Sequence, residues 1–373
     1  AAAEAPAVAP TAAAAPAVAP AVGAAPPAAA APAVVPAADN GAGEDRGSDR
    51  APRIRLYSTL RLFSVEKFSD LNYYQAPMSR IFHQALLQDL LKEGEGSLPL
   101  RDKARIRSAA GPGAGNWLEA RPVTQAMTMS NPAIGTAFRW RFGLPLSHDP
   151  SLRCLCGQPV DALGDHFQLC NLGGHRQFRH DGCRRIVASF CRLVGTVQEE
   201  RHMHTIGTVP PEMANHRIDI VMDDGYNRSP TLYNMADVTF THPVSTNQAK
   251  LTRYSRIDGA AAQEAVARKM RKYDQVARAM GISFSPLAVE TFGRWSSKAL
   301  WYIRDKAASC ALTWDGKVDR RQKALILQRW WRSLSCVCQK MNSLLLNQKL
   351  ALAKSFSSQS GTPPGLVNTY IWD

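Results

Sequence analysis

The chain has 373 residues, and its 45 Lys and Arg exceed its 31 Asp and Glu to leave a formal net charge of +14. Residues 1–52 are slightly acidic, so the rest of the chain carries a net charge of +17, which favours a polyanionic partner. No apolar stretch approaches the ~18 residues of a membrane span and no secretory leader opens the chain, which argues against membrane insertion and secretion. The first residue is Ala1 rather than Met, so we expect the sequence to be a fragment.

The N-terminal segment has the composition of a disordered arm. Residues 1–38 contain 22 Ala and 8 Pro, and proline recurs too often for a helix while no large side chain is available to bury. We therefore predict a disordered Ala/Pro-rich arm over 1–52. Apolar residues at helical spacing up to Gly94, followed by a Gly/Pro cluster at 109–115, predict a helical linker region over 53–150.

The second half of the chain alternates between helical and strand patterns. In chain order the predicted elements are a helix at 183–197, two strands between 216 and 241, a helix at 259–280, a strand at 284–289 and further helices at 296–355. This order is typical of a small α/β layer domain. We divide this half into a Cys/His segment at 151–182, an α/β domain at 183–307 and a helical C-terminal extension at 308–373.

Four potential zinc ligands lie in the Cys/His segment with the spacing C-x-C-x9-H-x3-C. They are Cys154, Cys156, His166 and Cys170. Zinc prefers a tetrahedron of thiolate and imidazole ligands, and four protein ligands leave no open position for catalysis. The pattern predicts a structural zinc knuckle, with His175 and His180 as spare ligands. Because the single residue between the first two cysteines is tighter than usual, a group of buried thiols beside a turn is the alternative.

Two aspartates occupy the strand-like segments at 217–221 and 236–240, on either side of a turn-rich stretch. If the hairpin is centred near Arg228, residue i pairs with residue 456 − i, and Asp219 lies opposite Asp237. Two opposed carboxylates repel each other unless a cation lies between them, and hard divalent ions such as Mg²⁺ prefer oxygen ligands. A register slip of one residue would part the two faces.

The helix predicted at 259–280 carries a lysine on its apolar stripe. Lys269 lies in the middle of that stripe and Lys272 at its edge. Because an ammonium on a buried face is costly without a partner, we expect Lys269 or Lys272 to face the carboxylates. The alternative is that the lysine extends along the apolar surface to water. Glu200, with Glu199 as its rival, is either a further carboxylate of this site or a solvated surface charge.

Two carboxylates and a lysine around a divalent metal are suited to phosphodiester hydrolysis. The metal activates a bound water and neutralises the scissile phosphate, while the ammonium stabilises developing negative charge. Basic residues that could contact the phosphates of a nucleic acid flank the site on both sides. They are Arg176, Arg179, His180, Arg184, Arg185, Arg268 and Arg271. Solvated helix faces are the alternative for these charges.

The C-terminal segment is also basic and contains Trp330 and Trp331. It could pack on the α/β domain or bind nucleic acid, and its tryptophans are more typical of a core than of a stacking platform. Glu290, which follows a predicted strand, is interpreted as structural.

These landmarks resemble the PD-(D/E)XK nuclease superfamily, and more closely the C-terminal part of non-LTR retrotransposon proteins with a restriction-like endonuclease. The resemblance covers most of residues 108–307 and depends on the shared order of several short blocks. The blocks are Gly115–Pro122, Arg141–Pro145, Cys154–Cys170, Gly173–Gly174, Arg179–His180, Arg217–Ile220, Asp237–Thr239, Gly259–Ala262, Lys269 with Lys272–Tyr273, and Gly281–Trp295.

The resemblance implies a zinc knuckle followed by a Mg- or Mn-dependent endonuclease that nicks genomic DNA, so that the new 3′-hydroxyl primes reverse transcription. It implies a small mixed sheet flanked by helices, with Asp219 and Asp237 as the two acidic residues. Thr239 stands where the superfamily usually has its lysine, and the related retroelements carry a lysine on the following helix, as Lys269 or Lys272 would be. Ile218 replaces the usual proline.

The resemblance also sets the expected partners. They are DNA, the RNA of the element, and a reverse transcriptase domain that would lie elsewhere in the same parent polypeptide, because this chain has no segment that resembles polymerase fingers or palm. A nuclear location follows from the substrate alone. The alternative function is a catalytically decayed retroelement remnant that acts only as a zinc-dependent nucleic-acid-binding protein.

Overall fold

The computed structural model describes residues 71–223 and 233–358, which form nine α-helices and four β-strands. The arm predicted at 1–52, the turn of the predicted hairpin at 224–232 and the last residues of the C-terminal extension lie outside the described residues. The elements are α1 (Leu71–Leu91), α2 (Leu100–Ala109), α3 (Asn131–Phe142), α4 (Asp165–Leu169), α5 (His175–Cys191), β1 (Thr196–His202), β2 (Arg217–Asp223), β3 (Tyr233–Thr241), α6 (Gln248–Arg256), α7 (Ala260–Ala279), β4 (Ser283–Glu290), α8 (Ser297–Cys310) and α9 (Arg320–Ser358).

Local sequence signals explain where several of these helices begin and end. The Ser296 side chain accepts a hydrogen bond from the Ala299 amide and so caps the start of α8, as serine commonly does. Helix α3 ends at Gly143, whose φ of 70° favours glycine. Glu290, at the end of β4, accepts a hydrogen bond from the Ala262 amide in the first turn of α7. The structural role predicted for Glu290 is therefore confirmed.

The four strands form one mixed sheet in the order β1-β2-β3-β4. β1 pairs with β2, and β2 with β3, in antiparallel fashion, while β3 and β4 are parallel and are connected through α6 and α7. Ile220 pairs with Ala236 and Asp223 with Tyr233, which is the register that the sequence predicts. The α/β fold class is thus confirmed as a small mixed sheet with helices.

Helices cover both faces of this sheet. On one face, Ile220, Met222, Ala236, Val238 and Leu287 pack in a single buried cluster with side chains of α5, α8 and α9. On the other face, residues such as Val221, Met235 and Phe284 pack with Tyr273 and Ala277 of α7. Since side chains alternate along a strand, Asp237 is directed towards the face that α7 covers.

The sequence prediction was wrong about the segment before this sheet. The predicted helix at 183–197 is α5, which begins earlier, at His175, and ends at Cys191, and Thr196–His202 is strand β1. β1 carries several charged side chains and pairs with one strand only. Charged residues are typical of edge strands, and they hide the apolar alternation from which strands are recognised.

Helix α9 contributes to two of the buried clusters of the described fold. Trp330, Leu334 and Val337 lie in the cluster that covers the sheet, whereas Leu345 and Leu346 pack with Cys154 and Cys170 of the Cys/His segment. Trp330 thus belongs to the core. None of the described helices, α9 included, combines the length and the apolar composition needed to cross a bilayer.

The stacked pair of Phe190 and Trp330 offers a test of this role of α9. Their rings lie 4.5 Å apart and nearly parallel, and Trp330 is only 4% exposed. Trp330→Ala should lower the free energy of unfolding by about 3–5 kcal/mol, because it removes a buried ring and leaves a cavity. Urea denaturation measures the change. Trp314→Ala is the control, since Trp314 is fully exposed, and an equal loss in both variants would contradict the packing.

Candidate functional site

Asp219 and Asp237 lie one step beyond the last paired residues of β2 and β3. The ladder between these strands ends at Ile220 and Ala236, and the Asp219 carboxylate accepts a hydrogen bond of 2.6 Å from the Val238 amide. The Asp219 side chain therefore takes the place of a backbone carbonyl as the acceptor for the Val238 amide, where β2 and β3 separate. Both carboxylates are buried, so the point where β2 and β3 separate holds two buried acidic groups close to each other.

Lys269 of α7 contacts this carboxylate pair. Its ammonium nitrogen lies 2.7 Å from Asp237 Oδ2, and its side chain is 24% exposed, so it lies between the interior and the solvent. At this separation the ammonium and the carboxylate form a close ion pair, and Lys269 acts to lower the pKa of Asp237. Lys269 therefore meets Asp237 as predicted.

His180 of α5 contacts the pair as well. Its Nε2 lies 2.9 Å from Asp219 Oδ2 and 3.0 Å from the Val238 carbonyl oxygen. Burial by itself would lower the pKa of His180, but the hydrogen bond and negative charge of Asp219, with those of Asp181, outweigh it and raise the pKa to about 9. His180 thus lies inside the carboxylate site as a cation at neutral pH.

The electrostatics of Asp237 reflect its crowded setting. Burial, followed by the negative charge of Asp219, raises the pKa of Asp237 to about 6, although Lys269 and His180 act in the opposite direction. The same burial and carboxylates raise the pKa of the neighbouring Tyr273 hydroxyl to about 12. A buried carboxylate of this kind is stabilised by any additional cation that reaches it.

The other predicted members of the site lie elsewhere. Lys272 is exposed, and its ammonium lies 5.0 Å from the centre of the Tyr273 ring. Glu200 is on strand β1 rather than just past a helix, and its carboxylate faces Arg217 and Arg184 at 3.4 and 3.7 Å. Glu199 pairs with Arg184 at 3.0 Å. The structure does not bring these three side chains into contact with the aspartates.

Glu200 nevertheless occupies a special position. The pairs Glu199–Ile220 and Arg201–Ile218 flank it, which puts Glu200 across from Asp219 in the register of β1 and β2. Its φ of 52° is the only positive value among the described non-glycine residues, a conformation that costs energy in a strand. The kink turns the Glu200 carboxylate towards arginines at the sheet edge.

The predicted phosphate-binding residues divide into exposed and buried ones. Arg185, Arg268 and Arg271 are exposed, and Arg176 is half-buried against the Leu169 carbonyl at 3.1 Å. The prediction that Arg179 binds phosphate at the surface was wrong, because its side chain is only 2% exposed.

The buried partners of Arg179 account for that burial. Its guanidinium donates to Gln168 and Asn342 and stacks on the Phe240 ring. Arg184 is also buried, against the carboxylates of β1. Neither guanidinium forms part of an accessible basic surface.

The predicted cysteine and histidine ligands converge. The ligand atoms of Cys154, Cys156, His166 and Cys170 all lie within 4.8 Å of one another. The sulfur atoms of Cys154 and Cys170 are 3.7 Å apart, and Cys156 Sγ is 3.2 Å from His166 Nε2. A tetrahedral zinc with bonds of about 2.3 Å separates two sulfur ligands by about 3.8 Å. These residues therefore could hold a metal ion such as zinc.

The chain around this cluster is shaped by short-range hydrogen bonds. The Asp161 carboxylate accepts hydrogen bonds from the amides of Leu163, Asp165 and His166, which fixes the turn into α4. Gly164 has a φ of 78°, and a Cβ there would lie 2.7 Å from Leu146. Only glycine fits at this close approach, so the Gly-Asp-His sequence sets the position of the histidine ligand.

Two charged residues connect the cluster to the rest of the fold. Asp165, next to the ligand His166, binds Arg101 and His242, and these partners outweigh burial to lower the pKa of Asp165 to about 2. Lys349 of α9 donates hydrogen bonds to the carbonyl oxygens of Cys170 and Phe167 at 2.7 and 3.2 Å. Lys349 is not recognisable from the sequence, because no local pattern relates a residue of α9 to a cluster some 180 positions earlier.

Comparison with known proteins adds no relative. No protein-family model matches the chain, and no curated protein matches its sequence. The function is therefore inferred from the residues and their geometry.

The convergence of the four ligands leads to a direct prediction. The purified chain should retain about one equivalent of zinc, and Cys170→Ser should lose most of it, because a serine hydroxyl is a poor ligand for zinc. Inductively coupled plasma mass spectrometry measures the zinc content of each variant. Cys310→Ser is the matched control, since Cys310 is half-buried outside the cluster, and equal metal contents in both variants would contradict the site.

The raised pKa of His180 predicts a pH dependence of stability. Because the folded pKa of about 9 exceeds the ordinary 6.5, the stabilisation is complete below pH 6.5 and is lost as the pH rises through 9. Without added divalent ions, the stability advantage of the wild type over His180→Gln should fall by up to about 3 kcal/mol across this window. Urea denaturation at pH 6.5 and 9.5 measures it, with His83→Gln as the exposed control. An advantage that does not change with pH would contradict the assignment.

Proposed function

We propose that the chain is the endonuclease module of a non-LTR retrotransposon protein, a Mg- or Mn-dependent endodeoxyribonuclease of the PD-(D/E)XK type. The observation that carries this proposal is the meeting of Asp237 with Lys269 at 2.7 Å, with Asp219 on the adjacent strand. Three elements distant in sequence contribute these groups. A fold buries two carboxylates together at considerable electrostatic cost, and functional sites are where such costs concentrate.

The oxygen donors are suited to a hard divalent cation. Asp219 and Asp237 are both buried, and burial raises the pKa of Asp237 to about 6. A Mg²⁺ or Mn²⁺ ion held by Asp219 and Asp237 would supply charge neutralisation of the scissile phosphate and activation of a water. The two buried carboxylates therefore fit the implied ion.

The other side chains have positioning and electrostatic roles in this proposal. Lys269, partly exposed beside Asp237, would face the phosphate and stabilise the negative charge that develops there. His180 and the Val238 amide hold Asp219 through two hydrogen bonds to Oδ2, so Oδ1 would be the oxygen that binds the cation. Thr239 occupies the usual position of the superfamily lysine, and Lys269 takes over that function from α7.

The Cys154, Cys156, His166 and Cys170 cluster is the zinc knuckle of this module. Four protein ligands close the coordination sphere, so the zinc would be structural. The exposed Arg185, Arg268 and Arg271 would contact DNA phosphates without base selection. The nick would leave a 3′-hydroxyl that primes reverse transcription by a polymerase domain of the parent protein in the nucleus, with the RNA of the element as a further partner.

A second function is favoured by one observation. His180 and Lys269 already supply two positive charges to the two aspartates, so the carboxylate pair is balanced by the protein itself. A catalytically decayed remnant that binds nucleic acid through its zinc knuckle and basic surface would need nothing more. The two functions differ in whether a divalent ion can compete with these internal cations.

A plasmid-nicking assay with Mg²⁺ or Mn²⁺ tests the proposal. The wild type should nick supercoiled DNA, and Asp237→Asn or Lys269→Met should reduce the rate by at least about a hundredfold, because each removes charge stabilisation at the reacting phosphate. Asp274→Asn on the same helix, where Asp274 pairs only with Arg278 among the described residues, is the matched control and should keep most of the activity. A wild type that binds DNA without nicking it favours the remnant, and nicking that survives Asp237→Asn excludes this site.

A further inference from the structure

The described residues contain a buried cation that has no acidic partner. Lys349 is 4% exposed, and it forms no ion pair with a carboxylate of the described residues. Its two hydrogen bonds are to neutral carbonyl oxygens, those of Cys170 and Phe167. Moving an ammonium out of water costs several kcal/mol, and neutral acceptors recover only part of that free energy. No carboxylate of the described residues therefore balances the positive charge of Lys349.

Neighbouring charges make this imbalance larger. Arg179, which is also buried and has no carboxylate partner among the described residues, and Arg176 both act on Lys349 as like charges. The Cys170 and Cys154 sulfur atoms lie close enough to act on Lys349 with opposite sign when they are thiolates. Metal-bound thiolates of the Cys/His cluster would therefore supply the balancing charge.

The charge of an occupied cluster matches this requirement. Three thiolates with a neutral imidazole and one divalent ion carry one negative charge in total. Lys349 contributes one positive charge from behind the cluster, on the side of α9. Its hydrogen bond of 2.7 Å to the Cys170 carbonyl also fixes the backbone of a ligand. Groups that orient and neutralise the ligands from outside are a regular part of metal sites.

We propose that Lys349 is the counter-charge of the metal-bound Cys154, Cys156, His166 and Cys170 cluster and increases its affinity for zinc. The proposal depends on the zinc site of the proposed function and adds to it a positioning residue from a different part of the chain. It separates two contributions of Lys349, the positive charge and the hydrogen bonds.

The test is the zinc affinity of the full chain and its Lys349 variants, measured by competition with a chromogenic chelator and by the absorbance of the cobalt-substituted cluster. Lys349→Gln keeps hydrogen-bond donors without charge, and Lys349→Met keeps length without either. Both should weaken zinc binding by about 10- to 100-fold, the usual effect of losing an outer partner of a metal site. Lys349→Arg, which keeps the charge, should bind within about threefold of the wild type. Lys354→Gln, exposed on the same helix, is the control.

The outcomes separate the two proposals. A wild type that takes up neither zinc nor cobalt overturns the zinc site itself. Zinc uptake by the wild type, with Lys349→Gln and Lys349→Met equal to Lys354→Gln, overturns the role of Lys349 and leaves the zinc site intact. If the uncharged variants fold only with excess zinc, or not at all, and Lys349→Arg folds and binds, the requirement for charge is supported. Failure of Lys349→Arg to fold overturns it.

Discussion

Two carboxylates buried side by side need positive charge close to them, and the described fold is organised around that constraint at Asp219 and Asp237. α7 brings Lys269 from one face of the sheet, and α5 brings His180 to the opposite side of the gap. The sheet contributes the gap itself, because the ladder between β2 and β3 ends one residue before the aspartates. Without the separation of the strands, the Asp219 side chain could not reach the Val238 amide.

A similar balance of charge is found around the Cys/His cluster. The Cys/His cluster lies next to Lys349, and Asp165 beside it lies between Arg101 and His242. The Gln168 side chain, on α4 between the ligands His166 and Cys170, accepts a hydrogen bond from Arg179 of α5. His180, which contacts Asp219, directly follows Arg179 on the same helix. The two candidate sites are therefore connected through α5.

The sequence was sufficient for those parts of the site that depend on short-range periodicity. The hairpin register follows from two β-rich runs around a central turn, and it puts Asp219 and Asp237 next to each other. Lys269 follows from the period of one helix, and the four clustered ligands follow from spacing. The family resemblance itself stays a proposal.

The remaining parts depend on contacts between distant segments. Strand β1 was not predicted, because an edge strand with charged residues has no apolar alternation. His180 and Arg179 look like members of a basic surface, but tertiary packing buries one and turns the other towards Asp219. The role of Lys349 is not visible in the residues next to it in sequence, because its partners are the carbonyl oxygens of Phe167 and Cys170, about 180 residues earlier in the chain. Whether a charged side chain is buried depends on the assembled fold, and a short stretch of sequence does not reveal it.

The position of α9 along the chain constrains the order in which the protein can mature. The buried α9 residues that pack in the sheet cluster and those that pack with Cys154 and Cys170 lie between Trp330 and Ala353, later in the chain than the other elements of both clusters. During synthesis, the earlier helices and the sheet must emerge from the ribosome with these apolar surfaces uncovered. Nascent intermediates with uncovered apolar surface are prone to aggregate. We therefore expect chaperones to protect the chain until α9 has emerged.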